Sequence, residues 1–464
     1  MAGSLIKIDE EIVTSAVASV TLGGADWDSS YDVYVLKINQ METDRTTDNQ
    51  FYMRLLASSS PDTSSNYDRA TKRIRAGASF DNDTSTNSSS FQFTTGLDNA
   101  TGSQLNGTFY LFNFNNASEY SFITCELSSI NSANELGIDL SRNYPDFETM
   151  ATKESEREDG IQVVSIVTPN HLHAQPSIKF LSKNINVICD KPLTATMDQA
   201  TDLYNAVKKS NAHFFLTHNY SGYPVIREMR RIIKDGLLGK IRVIRGGYLQ
   251  GWLGSKEEES NKQAQWRTDP ARSGVAGCVG DIGSHIMHLA EFVTNTRVKE
   301  VAADLTTFVE GRMLDDNASI LIRMEDGSKG NLSVSQVAIG EENNITLSIY
   351  GEKGALHWAQ ENPNYARFSQ IGELDKVITR GSVIQTSESM GHTRIPPGHP
   401  EAFIEAFAQI YSDAADVIQN KDNKDELLKV LPNIDDGLHI MKFINATVDS
   451  SNNNSKWINL SEIN

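Results

Sequence analysis

The chain has 464 residues, of which 39% are hydrophobic, enough for two or three domains with separate cores. Its 42 Lys and Arg face 60 Asp and Glu, and the formal charge of -18 argues against a nucleic-acid binder or a protein held on anionic lipid, since both need a basic face. Cys125, Cys189 and Cys278 are widely and irregularly spaced, which excludes a disulfide framework or a Cys-x-x-Cys metal knuckle and suits a reducing, cytoplasmic setting. The amino terminus shows neither a signal-type apolar run nor a membrane span.

Residues 1–134 are crowded with Ser, Thr, Asn and Asp, and their apolar residues alternate or form short runs at Ser30–Asn39, Gln50–Ala57, Ser89–Thr94, Gly107–Asn113 and Tyr120–Leu127. Short strands separated by turn residues, with no helical spacing between them, predict an all-β module of sandwich or jelly-roll type. Its Asn-x-Ser/Thr sequons at Asn82, Asn87, Asn99, Asn106 and Asn116 are a by-product of Asn-rich turns. No cluster in this module suggests chemistry.

From about Glu135 the pattern changes. Ile161–Thr168 is a β-branched run of the kind buried on both faces of a parallel sheet, followed by helical spacing over His171–Lys183. Ile185–Cys189 predicts a second strand, Thr196–Ser210 a helix and His213–Thr217 a third strand, so residues 135–220 are expected to form a truncated, doubly wound, Rossmann-like α/β domain. Residues 221–464 are expected to form an α+β domain. The elements are a helix over Tyr223–Lys234, a strand over Lys240–Leu249, a long loop and a helix over Ile282–Phe292. Strands then follow over Val298–Val309, Ala318–Met324, Lys329–Val337, Ile345–Tyr350 and Ala355–Ala359. Turns at Glu325-Asp326-Gly327 and Gly351-Glu352-Lys353-Gly354 make that sheet mostly antiparallel. Helices over Pro400–Gln419 and Asp425–Ser450 and a strand near Trp457–Leu460 close the domain.

Two strings point to chemistry. In Cys189-Asp190-Lys191-Pro192 a lysine stands at the carboxyl end of a parallel strand, the edge where open α/β sheets bind ligands; the competing reading is a solvated Lys-Pro turn. In the second, Trp266-Arg267 precedes Gly280-Asp281-Ile282-Gly283-Ser284-His285-Ile286-Met287-His288. Asp281 and His285 are four apart on one helix face, a spacing that suits a histidine base beside a carboxylate. The alternatives are that Asp281 caps the helix while His285 packs on the sheet, or that Asp281, His285 and His288 hold a metal; the acid–base reading requires none.

These strings, with Thr168-Pro169-Asn170-His171-Leu172-His173, Gly236-Leu237-Leu238-Gly239-Lys240-Ile241 and their order, resemble the Gfo/Idh/MocA oxidoreductases from about Leu136 onward. The resemblance implies NAD- or NADP-dependent hydride transfer at a carbinol carbon of a small sugar or polyol. It makes Lys191, Asp281 and His285 catalytic: His285 takes the hydroxyl proton, Lys191 stabilises the oxygen, and Asp281 orients substrate and histidine. It places the cofactor against Thr168, Pro169, Asn170, His173, Asp190, Lys191, Pro192, Trp266 and Arg267. The family usually carries Glu where this chain has Asp190, and its members usually pair into dimers or tetramers through the second-domain sheet. The first residues, MAGSLIKIDEEIVTSAV and onward, are similar to virion-associated structural proteins of marine phages.

No G-x-G-x-x-G occurs anywhere in the chain, so the glycine turn and helix amino terminus that hold a dinucleotide pyrophosphate are not visible. Reduced cofactor affinity is the expectation, together with an unpaired edge on the Ile161–Thr168 strand. A non-catalytic virion-associated or carbohydrate-binding fusion, and a join of two reading frames near Ser128–Glu135, are the alternatives.

Overall fold

The structure is a computed structural model that describes residues 142–381 and 393–463 continuously, and before them residues 12, 19–22, 33–41, 52–54, 56–57, 60–61, 67–74, 80–88, 90–92, 105–112 and 122–129. It divides into two compact units, Met1–Tyr144 and Pro145–Asn464.

In the first unit the described elements before residue 142 are strands: β1 (Val33–Met41), β2 (Tyr52–Met53), β3 (Leu56–Ala57), β4 (Ser60–Pro61), β5 (Tyr67–Ile74), β6 (Phe80–Ser88), β7 (Phe91–Gln92), β8 (Leu105–Phe112) and β9 (Phe122–Ser129). All pair antiparallel: β1-β8-β9 as one sheet, with β2-β7, β3-β4 and β5-β6 as separate pairs. Much of the expected sandwich, including all of the seam at Ser128–Glu135 beyond Ser129, lies outside the described residues.

The second unit begins with α1 (Phe147–Glu156), capped by Asp146, whose carboxylate accepts from the Thr149 N–H at 2.6 Å. Strands β10 (Val163–Ile166), β11 (Asn186–Cys189) and β12 (Phe214–Leu216) form a three-stranded parallel sheet in that order, linked by helices α2 (Ala174–Ser182) and α3 (Met197–Lys209). β11 and β12 are deeply buried, but β10 is not: Val163 is 36% and Val167 66% exposed. The expectation that Ile161–Thr168 is buried on both faces is therefore corrected. β10 is the edge strand, and no strand pairs with its outer side among the described residues.

α4 (Pro224–Lys234), with Pro224 at its first turn, leads into β13 (Ile241–Leu249). After α5 (Lys262–Arg267) and α6 (Pro270–Ser273), a π-helical turn (Val279–Gly283) runs directly into α7 (Ser284–Thr294). Strands β14 (Val298–Thr306), β15 (Asn317–Met324), β16 (Lys329–Ser335), β17 (Asn344–Gly351), β18 (Gly354–Ala359), β19 (Tyr365–Gln370) and β20 (Lys376–Thr379) follow. The chain closes with α8 (Phe403–Ile418), α9 (Lys424–Leu427), α10 (Ile434–Asn452) and β21 (Ile458–Asn459). The nine-stranded sheet runs β20-β19-β18-β17-β13-β16-β15-β14-β21 and is antiparallel except for the β13–β16 pair. Both expected hairpins form, and Gly327 supplies the positive φ (87°) that the β15–β16 turn requires.

Three expectations needed revision. The helix expected over Asp425–Ser450 is broken before Pro432, which cannot donate within a helix. α10 then restarts on a capping box in which Asn433 accepts from the Asp435 and Asp436 N–H groups, while Asp436 accepts from the Asn433 N–H. The expected helix over His171–Lys183 opens instead with a 3-10 turn at Asn170–Leu172. Strands β19 and β20 were unforeseen; their alternation is short and diluted by Arg367, Gln370 and Lys376. The main hydrophobic core runs from α2 and β11 through α7 to β17 and α10, and a smaller one packs α8 and α9 against Ile188 and Phe215. No helix among the described residues is long and apolar enough to cross a membrane.

Candidate functional site

The site forms where the carboxyl ends of β10, β11 and β12 face the π-helical turn and α7. Strand order alone brings Thr168-Pro169-Asn170, Asp190-Lys191 and Thr217-His218-Asn219 side by side, as expected at the carboxyl edge of a parallel sheet. All of these but His218 border a cavity of about 640 Å³ that is also lined by Tyr248, Gln250, Trp252, Trp266, Arg267, Asp281, His285, Asn343, Phe403 and Phe407. That volume suits a small ligand with part of a cofactor. A second hollow of about 710 Å³ near Leu249, Lys256, Phe308 and Val337 has a single titratable side chain in its wall, so chemistry belongs to the first.

Lys191 follows β11, and its peptide bond to Pro192 is cis. Its ammonium donates to the Asp281 carboxylate Oδ1 at 3.0 Å and to the Asp281 carbonyl at 2.5 Å. The other carboxylate oxygen accepts from Arg267 Nε at 3.2 Å and Gln336 Nε2 at 2.9 Å. Burial disfavours this carboxylate, but the Lys191 and Arg267 charges and the Lys191 hydrogen bond together hold it well below the usual carboxylate range. Two cations thus surround one anion, leaving net positive charge at this wall of the cavity. The Arg267 guanidinium is itself stacked 4.2 Å from the Trp266 ring centroid.

The segment carrying Asp281 is held by close backbone approach. Gly277 runs so near Asp315 that a Cβ would lie 2.2 Å from the Asp315 carbonyl oxygen, and Gly274, at φ 109°, would put one 2.4 Å from the Ala195 carbonyl oxygen. The Asp315 carboxylate accepts from the Gly277 and Val279 N–H groups at 2.6 and 2.9 Å and from the Cys278 thiol at 3.1 Å.

His285, in the first turn of α7, is 8% exposed and borders the cavity. Burial, then the Lys191 charge, pushes its pKa well below the ordinary value, with Asp281 opposing, so the imidazole is neutral and able to accept a proton. The expected orienting bond from Asp281 is not among its contacts: that carboxylate is taken up by Lys191, Arg267 and Gln336. Asp281 does not cap α7 either, because it sits inside the π-helical turn. Asp281, His285 and His288 do not converge, and no group of three acidic, His or Cys side chains among the described residues could hold a metal ion.

Of the residues expected along the cofactor, Thr168, Pro169, Asn170, Asp190, Lys191, Trp266 and Arg267 line the cavity. Asp190 accepts from the Thr217 hydroxyl at 2.6 Å, and Asn170 donates to the Ser273 carbonyl at 2.9 Å. Two of the expected residues lie outside the lining. His173 is 1% exposed and lies behind the wall, with Nδ1 2.9 Å from the Pro192 carbonyl and Nε2 2.7 Å from that of Thr168; it clamps the two loops. Pro192 is buried beside it, outside the lining.

Sequence reasoning missed the far wall. Tyr220 and Tyr248 share a hydrogen bond of 2.9 Å, Tyr248 donates to Asn343 Oδ1 at 2.7 Å, Gln250 donates to the same oxygen at 2.8 Å, and Trp252 donates to Gln250 at 3.0 Å. Tyr220 lies in the turn just beyond the end of β12, so the strand-end rule could have found it; Gln336, Asn343, Phe403 and Phe407 had no local signal.

Known families and structures give the same reading of fold. Residues 226–357 match the GFO/IDH/MocA C-terminal domain, and residues 112–218 match the oxidoreductase family with an NAD-binding Rossmann fold, a match that starts earlier than Leu136. The chain is similar to the uncharacterized oxidoreductase YfiI of Bacillus subtilis, 32% identical over 329 residues, which are 70% of this chain and 84% of that protein. It is 42% identical to an oxidoreductase structure from Sinorhizobium meliloti (TM-score 0.63; 70% of this chain, 87% of that one). It is 31% identical to an inositol dehydrogenase homolog from Azotobacter vinelandii solved with NAD+ (TM-score 0.67; 70% and 85%).

Proposed function

Because the chain belongs to the Gfo/Idh/MocA family of oxidoreductases, whose Rossmann domain is NAD-binding, we propose that its cavity is a hydride-transfer site for a cyclic sugar or polyol, with a complete reaction corner and a reduced phosphate cradle. The observation that carries this reading is the Lys191–Asp281 pair beside His285, in a cavity with Trp252, Trp266, Phe403 and Phe407 in its walls. Aromatic faces suit the C–H faces of a sugar ring, and Gln250, Asn343 and Tyr248 supply hydrogen bonds for its hydroxyls. The similar structure described as an inositol dehydrogenase homolog points to the same substrate class.

When bound, nicotinamide would supply the hydride acceptor. The chain's own residues do the rest. His285 takes the proton of the substrate hydroxyl, and Lys191 donates a hydrogen bond to the same oxygen and stabilises its negative charge as the carbonyl forms. Asp281 holds the Lys191 ammonium and the Arg267 guanidinium in place. Thr168, Pro169, Asn170 and Asp190 fit the nicotinamide ribose end, with Trp266 and Arg267 opposite.

The phosphate end fits less well. No G-x-G-x-x-G exists in the chain, and among the described residues no strand pairs with the outer side of β10, where the first strand–turn–helix would add. The dinucleotide is therefore expected to bind with a Kd of roughly a millimolar or weaker instead of micromolar. Titration with NADH and NADPH, followed by nicotinamide fluorescence, tests this; micromolar binding would overturn the reduced cradle. Turnover of myo-inositol or another cyclic polyol at saturating NAD, lost in Lys191→Ala, tests the reaction; turnover that survives Lys191→Ala removes Lys191 from the mechanism.

A further inference from the structure

Three buried imidazoles cluster at the cavity wall, His285 in the lining and His218 and His288 behind it. His218, directly after β12, is 1% exposed and His288, one turn beyond His285 on α7, is 4% exposed. The His218 ring stacks on His288 at 4.3 Å between centroids (18° between planes) and meets His285 edge-on at 5.7 Å (83°). Tyr220 packs edge-on to His285 at 4.9 Å. Both nitrogens of His218, Nδ1 of His285 and Nδ2 of the neighbouring Asn219 are buried with no hydrogen-bond partner in the protein. Buried polar atoms are nearly always satisfied, and several orphans in one place mark a missing shared partner.

A histidine that accepts a proton on one nitrogen must carry hydrogen on the other, and that hydrogen needs an acceptor which fixes ring and tautomer. His285 borders the cavity while its Nδ1 points inward, so Nδ1 must carry the hydrogen. Asp281, the obvious acceptor, is committed to Lys191, Arg267 and Gln336. We propose that His218 is the positioning residue of this site: through one buried water it accepts the Nδ1 hydrogen of His285, so that the Nε2 lone pair faces the substrate. The two rings meet edge-on at 5.7 Å between centroids with no direct hydrogen bond between them, so a contact from one to the other needs a bridging molecule. Burial keeps all three imidazoles neutral, which leaves a lone pair on His218 to accept.

This inference rests on the reading of His285 as the base, and its test has a readout that needs no cofactor. In protein labelled with 15N-histidine, nitrogen NMR at neutral pH, assigned with His285→Asn, should show His285 as the Nδ1–H tautomer. His218→Phe keeps the stack on His288 but removes the acceptor, and should move His285 toward the Nε2–H tautomer; His218→Gln should restore it. In turnover, His218→Phe should lower kcat by roughly 10²-fold with KM little changed. An Nε2–H tautomer in the unaltered protein, or a His285 tautomer indifferent to His218→Phe, overturns the proposal, and the first of these holds even if His218→Phe does not fold. If His285→Asn retains activity while the tautomer still follows His218, the base assignment fails and the His218 contact stands.

Discussion

The two sheets of residues 145–464 are covered to different degrees. In the nine-stranded sheet the inward residues Ile244, Ile320, Leu347 and Ile349 are 0–1% exposed, and alternation sends their neighbours outward. In the three-stranded sheet β11 and β12 are sealed, yet β10 leaves Val163 and Val167 in solvent. A parallel sheet needs cover on both faces and neighbours on both sides, whereas one face of an antiparallel sheet tolerates water. The candidate site hangs on the carboxyl ends of the strands and on α7, and the buried β11, β12 and α7 carry it.

The contrast can be tested by substitution. The largest effect should come at the corner. Lys191→Ala should lower kcat about 10³-fold, about 4 kcal/mol of barrier, measured in steady state at saturating NAD, with the far-ultraviolet spectrum unchanged. In the completed sheet, Ile349→Ala removes a fully buried side chain and should cost about 3 kcal/mol in urea unfolding. A cost below about 1 kcal/mol there would mean that this core is looser than its burial suggests.

Acid should act next, through the histidine cluster. Burial lowers the His288 pKa from its ordinary 6.5 to about 4, with Asp436 and Glu291 opposing. The unfolded chain therefore takes up the proton first as pH falls. The stability is fully present above pH 6.5 and lost progressively as pH drops toward 4, and His288 alone should remove about 2 kcal/mol between pH 7 and 5. Unfolding curves at the two pH values, with and without His288→Phe, measure that share. The smallest effect belongs to the open edge: Val163→Ala, at a half-solvated strand, should change stability by less than about 0.5 kcal/mol. A loss of about 2 kcal/mol would show that something covers the β10 edge.

Most elements were legible from local pattern. Gly327 and the Gly351–Gly354 turn announced hairpins, Pro224 and the apolar spacing after it announced α4, and the β-branched runs announced the strands, because periodicity and turn chemistry are local properties. Lys191, Asp281, His285, Trp266 and Arg267 could be singled out as candidates from their strings, and the structure brings all five to one cavity. What the sequence could not show is who answers whom. The partners of the Asp281 carboxylate come from the end of β11, from α5 and from the residue after β16, so its turn away from His285 exists only once those elements pack. The burial of His173, the exposure of Val163 and the wall built by Tyr248, Gln250 and Asn343 depend likewise on contacts far apart in the chain. The sequence by itself determined the chemical inventory and the absence of the glycine turn; the tertiary structure decided which nitrogens and carboxylates were left without partners, because a hydrogen bond is a matter of a few tenths of an ångström between residues that the chain order does not bring together.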